Sequence, residues 1–178
     1  MQQSTVEIFE QSARPTQFME AIERLKEEHN ELRARLSDIR GQGERVSRLR
    51  SSREAEVKLK ELRDSVGLLM ESLDAHASWE ERELFPMLTR YFNKMQGPSI
   101  MPSIWVMEKD HELAHMFVQS FYEAVDGCVE ESENIHVKTA ASHLIQACMI
   151  LSEHLNLEEE VVYPMADQIL TDIDSLFS

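Results

Sequence analysis

Two stretches decide how this chain reads: HASWEERELFP at residues 76–86 and HLNLEEEVVYP at residues 154–164. Each runs His, then acids four and five residues later, then an aromatic residue followed by proline, so the chain carries an internal repeat. On a helix, His-x-x-x-Glu places both side chains on one face about 6 Å apart along the axis, close enough to converge on one dinuclear site. Each stretch is preceded by a segment with one histidine among acids, LKEEHNEL at 25–32 and MEKDHELA at 107–114. The chain reads as a duplicated helix pair.

Hydrophobic spacing extends this outward. Pro15 and Thr16 form a helix start, after which Phe18, Ile22, Leu25, His29, Leu32, Leu36 and Ile39 recur at steps of four and three. Gly41 and Gly43 are expected to end that helix, and a polar stretch through Ser51 and Ser52 to connect it onward. Leu59, Leu62, Val66, Leu69, Leu73, His76, Glu80 and Met87 mark the second stripe, with Glu83-Leu84 straddling one step and Pro86 kinking or interrupting it. A loop with Gly97, Pro98 and Pro102 follows. The third stripe is Ile104, Met107, His111, Ala114, Val118, Phe121 and Val125, stopping near Gly127. The fourth is Val137, Ala140, Leu144, Ala147, Leu151, His154, Glu158, Val161 and Met165, with Thr171 capping a last short turn through Asp174. Four such helices imply an all-α, up-down-up-down four-helix bundle over residues 16–170, between an N-terminal extension (1–15) and a C-terminal tail (171–178) with a short helical extension.

Composition agrees with this. Five glycines and five prolines in 178 residues favour long helices, and this length buries a core without needing a metal or disulfide for folding. A formal charge of -15 opposes binding to nucleic acid or anionic membranes, since both require a cationic surface. No stretch approaches the roughly 18 apolar residues of a membrane span, and the start has no signal-peptide pattern, so a cytoplasmic location is expected. Cys128 and Cys148 form no metal-binding pattern and read as ordinary reduced thiols. Arg40, Arg45, Arg48, Arg50 and Arg53 gather around the first connection and read as a solvated linker.

The informative residues are polar groups at core positions: His29, His76, Glu80, His111, His154 and Glu158. Burying an ionised carboxylate costs several kcal/mol or more unless it is compensated, and a pair of divalent cations compensates two glutamates at once. Imidazole with carboxylate suits iron better than a thiolate-selected metal, with zinc and manganese chemically open. His115, one turn beyond His111 and beside Ala114, could reach a metal or stand behind a ligand, and it joins the candidate set. Glu81 and Glu159 read as solvated or supporting acids, and His136 and His143 as flank residues. Trp79, Trp105 and the methionines read as packing residues.

With these residues in place, the chain resembles the hemerythrin-like HHE cation-binding family from about residue 16 to residue 170. The likeness rests on the order His29, His76-x-x-x-Glu80, His111, His154-x-x-x-Glu158, with the EE doublet and F-P or Y-P in both halves. It implies two non-haem iron ions, oxo- or hydroxo-bridged, with Glu80 and Glu158 bridging and the histidines completing the coordination. Oxygen-carrying hemerythrins place an aspartate five residues after the last histidine, whereas Glu158 is four residues after His154. The resemblance is therefore to the broader group, which implies a small diatomic ligand such as O2 or NO, peroxide chemistry, iron sensing or repair of iron centres, and leaves room for a redox partner. The cysteine-bearing extension of some repair proteins is missing from residues 1–15. Two other readings stand beside this one. A ferritin-like di-iron oxidase would use Glu-x-x-His on two helices, and only Glu108-x-x-His111 fits with its histidine on an inward stripe. A metal-stabilised interaction or iron-sensing module would instead present its helix edges to a partner.

Overall fold

The computed structural model describes residues 15–94, 99–127 and 134–177; the sequence features at residues 1–14 and at Gly97, Pro98 and Cys128 lie outside them. Four helical rods make up the described chain, with no strand among the described residues. Helix α1 spans Pro15–Ser47, its proline at the first position where the missing N–H costs nothing. It runs through Gly41 and Gly43 instead of stopping there. Gly43 is buried where α1 meets the last helix, and a Cβ at this position would lie 3.4 Å from Ile145 Cγ1 and 3.7 Å from Leu144 Cδ2. The residue serves close packing, not termination. Helix α2, Ser52–Trp79, is capped by Ser51, whose Oγ accepts the Glu54 N–H at 3.3 Å. Arg40 and Arg45 therefore belong to α1 and Arg53 to α2, leaving only Arg48 and Arg50 in the connection.

Beyond α2 the rod passes through a π-helical turn, Glu80–Leu84, into α3, Phe85–Lys94. In a regular helix the ring of Pro86 would press on the carbonyl of Arg82, and the wider turn, closed by the Phe85 N–H on the Glu80 carbonyl, gives it room. The extra residue also shifts the inward register. Leu84 and Leu88 are buried, and Met87, expected inside, is only half-buried. Helix α4, Met101–Asp126, has Pro102 in its first turn and ends at Gly127, whose N–H returns to the Glu123 carbonyl at 3.0 Å. Helix α5, Asn134–Phe177, passes Pro164 and Thr171 without a break, and the Thr171 hydroxyl donates to the Asp167 carbonyl instead of capping a new turn. Its last inward residues are Val162, Ala166 and Ile169, one step from the expected Val161 and Met165.

α5 packs on both α4 and α1, and α1 on α2, closing a four-rod bundle. The core divides into two apolar clusters. One gathers Leu36, Leu59, Leu69, Phe121, Leu144 and Leu151. The other gathers Phe18, Leu25, Leu84, Leu88, Met107 and Val162. Each such side chain stabilises the fold by roughly 1.5–3 kcal/mol. Trp79 is inside, as expected, but Trp105 and Met116 are 60% and 66% exposed and pack into neither cluster.

Gly43 provides a stability test. Gly43→Ala adds a methyl at ordinary contact distance and removes a glycine from a helix interior, an expected gain of about 0.5–1 kcal/mol, or roughly 1–4 °C in melting temperature. Gly43→Leu should lower the melting temperature by more than that, because its branch must displace Ile145 and Leu144. Thermal melts by circular dichroism check both signs.

Candidate metal centre

Between the two apolar clusters lies one polar layer. α1 contributes His29, α2 and the π turn His76 and Glu80, α4 His111, and α5 His154 and Glu158. All but half-buried His111 are 2% exposed or less. His29 Nε2 is 3.1 Å from Glu158 Oε2 and 3.9 Å from Glu80 Oε1. His76 Nε2 is 2.8 Å from Glu80 Oε1 and 4.0 Å from Glu158 Oε2. One ligand atom from each of these four residues lies within 4.8 Å of the other three, a spacing suited to a single cation. The His111 and His154 rings stack beside them with centroids 4.1 Å apart.

The two histidine pairs are held differently. His29 Nδ1 meets Glu159 Oε1 at 2.9 Å, and His76 Nδ1 meets Glu28 Oε2 at 2.7 Å, so each donates outward and aims Nε2 at the centre. Those acids are anchored in turn: Arg33 lies 3.0 Å from Glu159, and Arg24 donates to Glu28 at 2.7 Å. Neither ring nitrogen of His154 has a hydrogen-bond partner. Glu159 is thus a supporting acid, as one of its two expected roles had it. Glu28, Arg24 and Arg33 were missed by sequence reasoning, because Glu28 adjoins His29 in the chain but serves a histidine on another helix. The acid directly before an inward histidine was the only signal available.

His115 is not gathered into this layer. Ala114 takes the inward position, and His115, 48% exposed, points its Nε2 at Asp74 of α2, 2.8 Å away. His136 is exposed, and half-buried His143 stacks on Phe117 with centroids 6.1 Å apart. Cys148 sits in the apolar cluster, where burial pushes its thiol up to about 12.

Six buried side-chain atoms in the layer have no hydrogen-bond partner: His76 Nε2, Glu80 Oε1, His111 Nε2, both nitrogens of His154, and Glu158 Oε1. His76 Nε2 and Glu80 Oε1 approach closely but out of line for a hydrogen bond. Leaving a buried polar atom unsatisfied costs about 1–3 kcal/mol, so six in one layer, of which the two on neutral His154 are one N–H and one lone pair, mark a donor set able to receive cations. The residues present fit a metal group.

A profile of the hemerythrin HHE cation binding domain matches residues 20–166 of the chain. The chain belongs to the hemerythrin HHE cation-binding family. Neither the curated proteins nor the solved structures contain a match. In this HHE domain the His/Glu layer is the candidate cation site, and a small cavity of about 10 Å³ adjoins it on the His111 and His154 side. Phe85, Ile104 and Met107 form its apolar wall, and exposed Glu81 and Glu108 also border it.

Electrostatics of the metal-free HHE domain follow from the same geometry. Burial pushes His29 down, but its hydrogen bond to Glu158, the nearby Glu80 carboxyl and its bond to Glu159 outweigh it and raise this histidine to about 9. Burial and the charge of Glu158 hold Glu80 well above the usual carboxylate range. Burial opposes the Glu158 charge, yet bonds from His29 and Glu80 keep it at about 2. Burial lowers His111 to about 4 and His154 to about 3. Without metal, a protonated His29 thus accompanies an ionised Glu158 and two neutral imidazoles, beside a Glu80 whose ionisation burial and Glu158 oppose.

The linkage signs set a stability optimum. His111 and His154 are depressed, so their contribution is present above about 6.5 and lost as pH falls toward about 4 and 3. His29 is raised, so its contribution is present below about 6.5 and lost as pH rises through about 9, with raised Glu80 acting in the same direction. Melting temperature of the chelated protein is expected to peak near pH 6.5 and fall on both sides. His29→Gln should flatten the alkaline limb, and an unchanged limb would remove His29 from the account.

Proposed function

We propose that this chain holds two non-haem irons in the His/Glu layer and handles a small oxidant or diatomic ligand there, with NO and peroxide favoured over reversible carriage of O2. The observation that carries this reading is the set of six unpartnered buried atoms in the layer, four of them on Glu80, His111 and His154, which line a water-sized cavity. Bound iron would supply a redox couple and an open coordination position. Imidazole nitrogen and carboxylate oxygen, with no thiolate nearby, favour iron among the cations this family takes.

The chain's own residues divide the work. His29 and His76, locked by Glu159 and Glu28, hold one position firmly together with Glu80 and Glu158. His111 and His154 offer a second position, to which Glu158 Oε1 is free to turn. With His115 tied to Asp74, four imidazoles serve the layer, fewer than an oxygen-carrier set of five, and more coordination positions stay open. Phe85, Ile104 and Met107 exclude bulk water and admit only something near the size of a water molecule. The ferritin-like reading gains nothing, because Glu108, the acid of the Glu-x-x-His whose histidine joins the layer, is exposed.

Anaerobic ferrous titration of the apo protein should show two unequal steps, the tighter belonging to the His29–His76 position. Glu159→Gln should weaken that step by about 10–100-fold. His154→Ala should abolish the weaker step alone, and His115→Ala should leave both unchanged. Exposure of the loaded protein to NO or peroxide should change its visible spectrum. One iron per chain at saturation, or a full complement in Glu80→Ala/Glu158→Ala, would refute the two-iron reading.

A further inference from the structure

Between α1 and the π turn with α3 lies a groove of about 510 Å³, outside the metal layer. Arg24 comes to it from α1, Arg82 and Arg90 from the π turn and α3, and Trp79, 5% exposed, also lines it. Glu20 and Glu83 also line it, so three guanidiniums face two carboxylates on a chain whose overall charge is -15. Arg82 and Arg90 meet no acid among the described residues, which leaves both forks available. Arg24 spends its Nε–H on Glu28 Oε1 at 2.7 Å and lies 4.2 Å over the Trp79 ring, so its remaining N–H groups are free to face the groove.

We propose that this groove binds a small phosphomonoester, and that its occupancy is transmitted to His76. Planar guanidinium forks converging on one concavity suit a dianionic oxyanion, each adding a charge-assisted, bidentate contact. The volume lies in the range of small-molecule sites and exceeds what a bare phosphate fills, leaving the apolar Trp79 and Met87 to meet the organic part of an ester. Transmission runs through contacts already described. Arg24 holds Glu28 at 2.7 Å, Glu28 holds His76 Nδ1 at 2.7 Å, and the Trp79 ring lies 6.2 Å from that of His76. An anion that draws the Arg24 charge toward itself loosens its grip on Glu28. Glu28 then accepts more strongly from His76 and makes Nε2 a better donor to metal. The binding stands on the groove alone; the transmission rests on the metal reading above.

The test uses the full, metal-loaded chain and glycerol 3-phosphate as the probe, followed by calorimetry and by the visible absorption of the centre. Saturable binding is expected, with no heat from glycerol. Arg82→Gln/Arg90→Gln should weaken it at least about tenfold, ~1.4 kcal/mol, while keeping its iron. Equal affinity in that double variant, or no saturable binding by the parent, overturns the site. Binding should also move the absorption band of the centre. Glu28→Gln, loaded at saturating metal, should bind the probe within about threefold of the parent yet lose the band movement. Movement that survives in Glu28→Gln overturns the transmission. A chain without any metal band sinks the metal reading and the transmission together, while calorimetry still decides the groove.

Discussion

Two carboxylates and four imidazoles stacked across the middle of a helical bundle set the terms for everything around them. Bulk water is largely kept from them, and the helices do not supply partners for all their polar atoms, as the six unpartnered atoms show. Internal proton balance, with both His29 and Glu80 raised, offsets charge but leaves hydrogen-bond capacity unmet. Cations meet both demands at once. The supporting acids, Glu28 and Glu159, and the arginines behind them make sense only as devices that fix the direction of His76 and His29.

Much of this was legible in the sequence because helical periodicity reports directly on facing. Polar residues falling on an apolar stripe at His29, His76, Glu80, His154 and Glu158 are buried in the structure. The misreadings share a cause: the rules of local propensity were applied where packing overrides them. Gly41 and Gly43 resemble helix stops, but the approach of α5 uses Gly43 for its lack of a side chain. Thr171 resembles a cap, but α5 was already helical on both sides of it. His115 shares a turn with His111, and only the position of Asp74 on another helix decides where it points. Glu28 was invisible for the same reason, since its partner is 48 residues away.

The repeat is closer in sequence than in structure. Both halves place proline ten residues after histidine, yet Pro86 follows a π turn while Pro164 sits within continuous α-helix. Carboxylate support is also uneven, present for His29 and His76 and lacking for His154. The widened turn supplies Glu80, Glu81 and, just after it, Phe85 to the small cavity, while the other half supplies Ile104, Met107, Glu108, His111 and His154.

The division of the core into two apolar clusters bears on cooperativity. Leu25 and Leu32 of α1 belong to different clusters although only two turns apart, with His29 between them. Among the described residues the two apolar clusters do not merge across that plane, so in the chelated protein each end of the bundle can open by itself, joined by continuous helices and a polar seam short of partners. Amide exchange there would fall into two groups with separate opening energies. Cations in the seam tie the ends together, and the same amides would then exchange as one unit, so that metal occupancy determines how many independent folding units the chain contains.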